Sequence, residues 1–286
     1  MKKIINFLSK YFIVRYFNNN FTRFSEIYKS PFANIFNSTY SNQINIDGIY
    51  NLNLNLELAK IIKNNLLEKK IFLDIGANIG DISIFYSKIF KKVISLEPHP
   101  KIFKILDFNT EDINNLETQN FGVSDKDCIL FQSKEFHNNF TSPTVNEFKQ
   151  NYYEIKGVKI DNFFDDNTLN KINFMNITVD GNELSALKGM PNFLNKKNLR
   201  LILLEAPTDD RIKTCFNYLK NYDFKYIYYF PKNRDLIIKN FIAIFFDYFL
   251  KSNHNFKELN QNELTNDSLK VKYNKNVLFS KQKLVL

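Results

Sequence analysis

The chain of 286 residues carries 39 basic and 30 acidic side chains, a net charge of +9, with 30 Phe and 15 Tyr; that length suits one large domain, or one domain with an elaborate terminal extension. Arginine, the residue suited to bidentate phosphate and base contacts, occurs only at Arg15, Arg23, Arg200, Arg211 and Arg234, so the shared surplus of Lys, Asn, Ile and Phe reads as the coding bias of an AT-rich genome rather than as a nucleic-acid surface. Cys128, Cys215 and three scattered His give neither a disulfide framework nor a metal-ligand spacing; no metal is expected, and the thiols fit a reduced, cytoplasmic setting.

Residues 1–30 predict a helix mixing apolar and basic positions, either an interfacial helix resting on a membrane or a lid packed on the domain. Its opening resembles a signal peptide, but Lys10 interrupts the apolar run and no small-residue cleavage site follows. Residues 31–55 are rich in Asn and Ser, and Leu56 to Leu67 predicts an amphipathic helix. The most informative stretch follows. Ile71 to Ile75 is a short apolar run, broken by Gly76-Ala-Asn-Ile-Gly80, after which Ile82, Phe85, Tyr86 and Ile89 recur at helical spacing. Strand, glycine turn and helix make a nucleotide-binding βα unit, with its ligand over the start of the helix.

The turn is not a dinucleotide fingerprint. Asn78 stands at the middle glycine, Asp81 at the last, and Asp74 precedes the turn. Two carboxylates repel a pyrophosphate but suit a ligand bearing an ammonium and a sulfonium, which describes S-adenosylmethionine. Val93 to Glu97 reads as the next strand, and an acid about 20 residues beyond the turn is placed to accept from ribose hydroxyls.

Pro100 to Phe108 predicts a helix, Thr118 to Val123 a third strand, and Ile129–Gln132 with Tyr153–Ile160 a hairpin or inserted pair flanking the polar loop 137–144. Phe174 to Val179 and Leu199 to Leu204 predict two more parallel strands, separated by a helix marked by Leu184, Leu187 and Met190. A helix over Arg211–Tyr222 leads to Tyr226–Phe230, which with Ile242–Phe245 suggests an antiparallel pair. The stretch 241–250 holds Asp247 and is too short to span a membrane. The expected fold is α/β: a doubly wound, mostly parallel Rossmann-like sheet with an antiparallel C-terminal strand pair. Residues 1–69 form an N-terminal extension, 70–250 the cofactor-binding domain and 251–286 a polar, peripheral appendage.

Several separated stretches then resemble one family. Phe72-Leu-Asp-Ile-Gly-Ala-Asn-Ile-Gly-Asp81, Leu96-Glu-Pro-His-Pro100, Gly122-Val-Ser-Asp125, the run from Asn176 to Gly189, and Leu203-Leu-Glu205 fall in the order seen in FkbM-type methyltransferases. The resemblance covers roughly residues 70 to 245. It implies a class I fold, S-adenosylmethionine as methyl donor, and transfer to a hydroxyl of a saccharide or related metabolite, often in surface-glycan biosynthesis. Cofactor contacts are implied at Asp74, Gly76, Asn78, Gly80 and Glu97, and Asp125 joins the candidates. One stretch departs from the family. Where its members usually read Lys-Ile-Asp-Val-Glu-Gly-Ala-Glu, this chain has Asn176-Ile-Thr-Val-Asp-Gly-Asn-Glu183.

Methyl transfer to a hydroxyl needs in-line positioning and a group that takes the hydroxyl proton. Asp180, His99 and Glu205 stand at strand ends, where reacting groups gather in a doubly wound sheet. Asp180 is the first candidate for the base, His99 the second, and Glu205 is expected to shape the acceptor pocket. Helix capping is the competing role for Asp180 and Glu183, and a turn role for His99. Three other functions stay open: a nucleic-acid methyltransferase, a nicotinamide-dependent sugar oxidoreductase, and a non-catalytic cofactor-binding module.

Overall fold

The computed structural model describes residues 32–35, 40, 44, 48–134, 141–142, 151–206, 208–231, 256–259 and 273–286. The expected helix over residues 1–30, most of the loop 137–144 and the segment 242–245 lie outside the described residues. Among the described residues no helix is long and apolar enough to cross a membrane.

The elements in chain order are α1 (Leu52–Asn65), β1 (Ile71–Ile75), α2 (Asp81–Ser87), β2 (Lys92–Leu96), α3 (Pro100–Thr110), β3 (Leu116–Gln119), β4 (Gly122–Val123), β5 (Cys128–Ser133), β6 (Thr141–Ser142) and β7 (Tyr152–Val158). They continue with α4 (Ile160–Phe163), α5 (Asp166–Leu169), β8 (Ile172–Ile177), α6 (Glu183–Lys188), α7 (Pro191–Leu194), β9 (Leu201–Glu205), α8 (Asp209–Leu219), β10 (Tyr226–Pro231), β11 (Lys257–Glu258) and β12 (Tyr273–Ser280).

Eight strands form the main sheet in the order β11-β10-β12-β9-β8-β1-β2-β3. Strands β3, β2, β1, β8 and β9 run parallel, and β12 and β11 run against their neighbours. Every residue of β1 and β8 is buried, as strands covered on both faces require. Alternation then sorts the side chains. Leu73, Ile75, Met175, Ile202 and Leu204 pack with Leu187 and Phe216 on one face. Phe72, Phe174 and Leu203 pack with Leu58 and Ile62 of α1 and with Tyr86 on the other. From β1 the chain builds outward through β2 and β3, then crosses back to place β8 on the far side of β1. The C-terminal ends of β1, β2 and β8 therefore border a topological switch point, where a doubly wound sheet opens a crevice.

Two expectations differ from the structure. The third strand is two strands: β3 ends at Gln119 in the main sheet, and Gly122–Val123 leaves it to join a second sheet ordered β4-β7-β5-β6. The pairing of β5 with β7 is the expected hairpin-like insertion. More consequentially, β10 pairs antiparallel with β11 on one side and with β12 on the other, and β12 inserts between β10 and β9 with Leu278 opposite Tyr228 on one side and Leu203 on the other. Residues 273–280 are thus an interior strand of the domain and not a peripheral appendage. Val277, Leu278 and Phe279 are buried in the core, and that apolar burial outweighs the polar composition of the segment around them.

Candidate functional site

A cleft opens at the switch point, floored by Gly76, Ala77 and Asn78 and bordered by Glu97 after β2, Asp180 after β8 and Glu205 at the end of β9. The backbone of the turn is held by Leu96, whose carbonyl accepts from the N–H groups of Gly76 (2.9 Å) and Ala77 (3.0 Å). Gly76, Asn78 and Gly80 all adopt positive φ. Asn78 N–H donates to Oε2 of Glu97 at 2.9 Å, and His99 N–H donates to Oε1 at 2.9 Å. Each carboxylate oxygen of Glu97 is thus fixed by one backbone donor and keeps acceptor capacity on its other lone pair. Burial pushes the Glu97 carboxyl up to about 7, against the pull of those two N–H groups.

Asp74 lines the deep end of the cleft. It accepts from Ser83 Oγ at 2.6 Å and from Asn176 Nδ2 at 2.9 Å, and burial pushes it up to about 6. The structure does not turn Asp81 toward the cleft. Its carboxylate is buried and accepts from the Tyr40 hydroxyl and from Tyr50 N–H (2.9 Å). Tyr40 and Tyr50 stack with centroids 4.5 Å apart, and both line the cleft. Asp81 therefore clasps the N-terminal segment to the turn. Replacing Asp81 with Ala removes the acceptor shared by two part-buried donors, a loss of about 1 kcal/mol or more; the expected readout is a lower Tm with faster amide exchange at Gly48–Tyr50, and unchanged exchange there would remove the clasp.

The remaining predicted residues separate. Gly80 is the N-cap of α2 and packs toward Leu106 of α3. His99 is fully buried and caps α3, its Nδ1 accepting from the N–H groups of Lys101 (3.2 Å) and Ile102 (3.3 Å). Its ring meets Tyr153 edge-on at 5.2 Å, and burial lowers its pKa. Asp125 is exposed and pairs with Ser185, whose Oγ accepts from Asp125 N–H at 3.2 Å. Gly80, His99 and Asp125 are all absent from the described lining. Glu183 accepts from Gly181 N–H at 2.7 Å and lies 3.9 Å from Arg211; it pins the turn before α6 rather than capping the helix, whose N-cap Asn182 makes no side-chain cap bond.

A family model described as the methyltransferase FkbM domain matches residues 74–226, from the end of β1 to the start of β10. The chain belongs to the FkbM methyltransferase family. The hexuronic acid methyltransferase AglP of Haloferax volcanii is similar to it, 25% identical over 157 residues that cover 54% of this chain and 64% of AglP. The chain thus spans less than two thirds of the length of that curated relative. Among solved structures, the precorrin-6y C5,15-methyltransferase of Geobacter metallireducens is 12% identical with a TM-score of 0.41, covering 87% of this chain and 95% of that one. An rRNA methylase from Streptococcus thermophilus is 13% identical with a TM-score of 0.41, over 80% and 95% of the two chains.

Within this FkbM chain the cleft contains residues that motif reading does not reach. Ile102, Phe121, Val123 and Leu130 give the cleft an apolar lining alongside Glu97, and Gln132 lines it too. Gln132 shares a face with Leu130 in a strand whose burial alternates, and a polar side chain at a buried position of such a strand was the available signal. Asn176 likewise interrupts the fully buried run of β8. Three amide oxygens of the lining, Asn78 Oδ1, Gln132 Oε1 and Asn176 Oδ1, are buried without a hydrogen-bond partner. Buried acceptors left unmatched cost about 1–3 kcal/mol each, so their clustering in one cleft points to a donor-rich ligand.

Proposed function

We propose that this chain transfers a methyl group from S-adenosylmethionine to a hydroxyl of a saccharide or related metabolite in surface-glycan biosynthesis. The observation that carries the reading is the acceptor-rich cleft: Glu97 beside the glycine turn, and three unmatched amide oxygens around it. The residues fit the cofactor, which is rich in donors. Glu97 would take the ribose hydroxyls, the apolar lining of Ile102, Phe121, Val123 and Leu130 would take the adenine, and Gln132 would accept from its amine. Asp74 and Asn176 would supply acceptors at the other end, beneath Gly76.

When bound, the cofactor supplies an electrophilic methyl group on sulfur. The chain's own task is to hold the acceptor hydroxyl in line and to take its proton. Asp180 is the assigned base: it lines the cleft after β8 and is exposed to it. Glu205, at the end of β9, shapes the acceptor side. His99 is assigned a positioning role, because its Nδ1 is committed to capping α3 while its backbone N–H holds Glu97. Asp180→Asn is expected to lower turnover by roughly 100-fold or more while leaving affinity for the cofactor product nearly unchanged. Equal loss of both would make Asp180 a binding residue.

Calorimetric titration with S-adenosylhomocysteine and, separately, NADH tests the cofactor. Micromolar binding of the first supports the reading. Its absence in a folded protein overturns the reading, and NADH binding in its place would promote the oxidoreductase.

A further inference from the structure

The chain is strongly basic overall, yet its cleft is not. Four carboxylates line it, Asp74, Glu97, Asp180 and Glu205, and no described lining residue is Lys, Arg or His. Asp74 and Glu97 lie at the glycine turn, on the side assigned to the methyl donor. Asp180 follows β8 and Glu205 ends β9; both line the cleft with Tyr40 and Tyr50, whose rings stack, and both carboxylates act on the Tyr50 phenol. This corner combines an aromatic face, acceptor oxygens and negative charge.

From this juxtaposition, and resting on the methyltransferase reading above, we infer that the acceptor is a neutral or amine-bearing sugar and that a sugar carrying a carboxylate is excluded. The apolar face of a pyranose ring suits the Tyr40–Tyr50 pair, and its hydroxyls suit carboxylate acceptors. An amine substituent gains further attraction, both from Asp180 and from the aromatic faces. A carboxylate there meets like charge inside a cleft that offers it no described cation. The phenol of Tyr50 reports the same field. Burial is the largest cause of its rise to about 12, and Glu205, Asp81 and Asp180 all push it the same way. The inference separates this chain from AglP, whose name assigns it a hexuronic acid.

The test uses the full chain saturated with S-adenosylhomocysteine and three matched probes: methyl glucoside, methyl glucosaminide and methyl glucuronide. Binding is followed by saturation-transfer NMR titration. The glucoside and glucosaminide are expected to bind at least roughly tenfold more tightly than the glucuronide. In Asp180→Asn that gap is expected to narrow several-fold, and addition of salt to shrink it further. Glucuronide binding equal to or tighter than the glucoside overturns the inference. So does a gap that Asp180→Asn leaves unchanged, because shape and not charge would then set it. Failure of all three probes to bind the saturated protein overturns it as well. Failure of S-adenosylhomocysteine itself to bind is a different result and strikes the methyltransferase reading.

Discussion

Replacing Glu97 with Ala is expected to weaken S-adenosylhomocysteine binding by at least roughly 100-fold. A hydrogen bond to a charged group contributes about 1.5–3 kcal/mol, and on the proposed reading two ribose hydroxyls would each lose one. The substitution also removes the acceptor shared by Asn78 N–H and His99 N–H, so the turn and the start of α3 lose the group that couples them. Glu97→Gln is not a silent isostere. Its amide nitrogen would face one of those two backbone donors, and it too is expected to bind weakly.

The same residue gives two pH dependences of opposite sign. Burial raises Glu97 from its ordinary 4.5 to about 7, so over that interval the folded chain binds more protons than the unfolded chain. The stability it contributes is therefore fully present below about 4.5 and is lost as pH rises through about 7. Asp74, raised from 3.8 to about 6 for the same reason, acts in the same direction. Ligand affinity runs the other way. On the proposed reading Glu97 accepts from two ribose hydroxyls as the ionised carboxylate, so binding below about pH 7 would release a proton. Affinity is expected to climb between pH 6 and 7 and level off above. Calorimetry in buffers of different ionisation enthalpy counts that proton, and a Tm series with and without ligand reads both slopes. Identical pH profiles for the native chain and Glu97→Gln would remove Glu97 from the linkage.

How far the sequence reveals such a site depends on which interactions build it. The unit from β1 to α2 is local: an apolar run, a glycine break and a helical period lie within 20 residues, and each signal stands alone. Glu97 follows because strand lengths fix its distance from the turn. Strand β12 does not follow, because its partners β9 and β10 lie about 45 to 75 residues earlier in the chain. The apolar signal of the strand is the short run Val277-Leu-Phe279, inside a segment otherwise rich in Asn and Lys. Tyr40 and Tyr50 are invisible for a related reason. They reach the cleft through the buried carboxylate of Asp81, a tertiary contact with no local period. The acid at that position was legible, but not the direction in which it points. Its expected electrostatic role toward a ligand gives way to a hydrogen-bonding role toward its own chain, as burial without a counter-cation favours.

Gly76→Ala and Gly80→Ala are expected to part company, although both glycines sit in one turn with similar backbone angles, φ +84° and +93°. Any side chain with a Cβ pays about 1–2 kcal/mol for the left-handed conformation, and that cost is common to both. What differs is the neighbour. A Cβ on Gly76 would stand 1.9 Å from the carbonyl oxygen of Thr178 and 2.9 Å from its carbon. That carbonyl cannot yield freely, because Thr178 N–H is bonded to Ile75 O at 2.9 Å and Ile75 pairs with Ile177 in the central ladder. Relief requires the ends of β1 and β8 to separate by more than an ångström, in the floor of the cleft. A Cβ on Gly80 meets Leu106 Cδ1 at 2.7 Å and Thr110 Cγ2 at 3.3 Å, the far ends of side chains that can rotate. Gly76→Ala should therefore lose roughly 3–5 kcal/mol, a large part of an ordinary domain's 5–15 kcal/mol, together with ligand binding. Gly80→Ala should fold, melt a few degrees lower and keep its affinity within about tenfold. Thermal melts and S-adenosylhomocysteine titrations on the pair decide it. If Gly76→Ala proved as stable and as tight as Gly80→Ala, the carbonyl of Thr178 would not be the wall against which this turn is built.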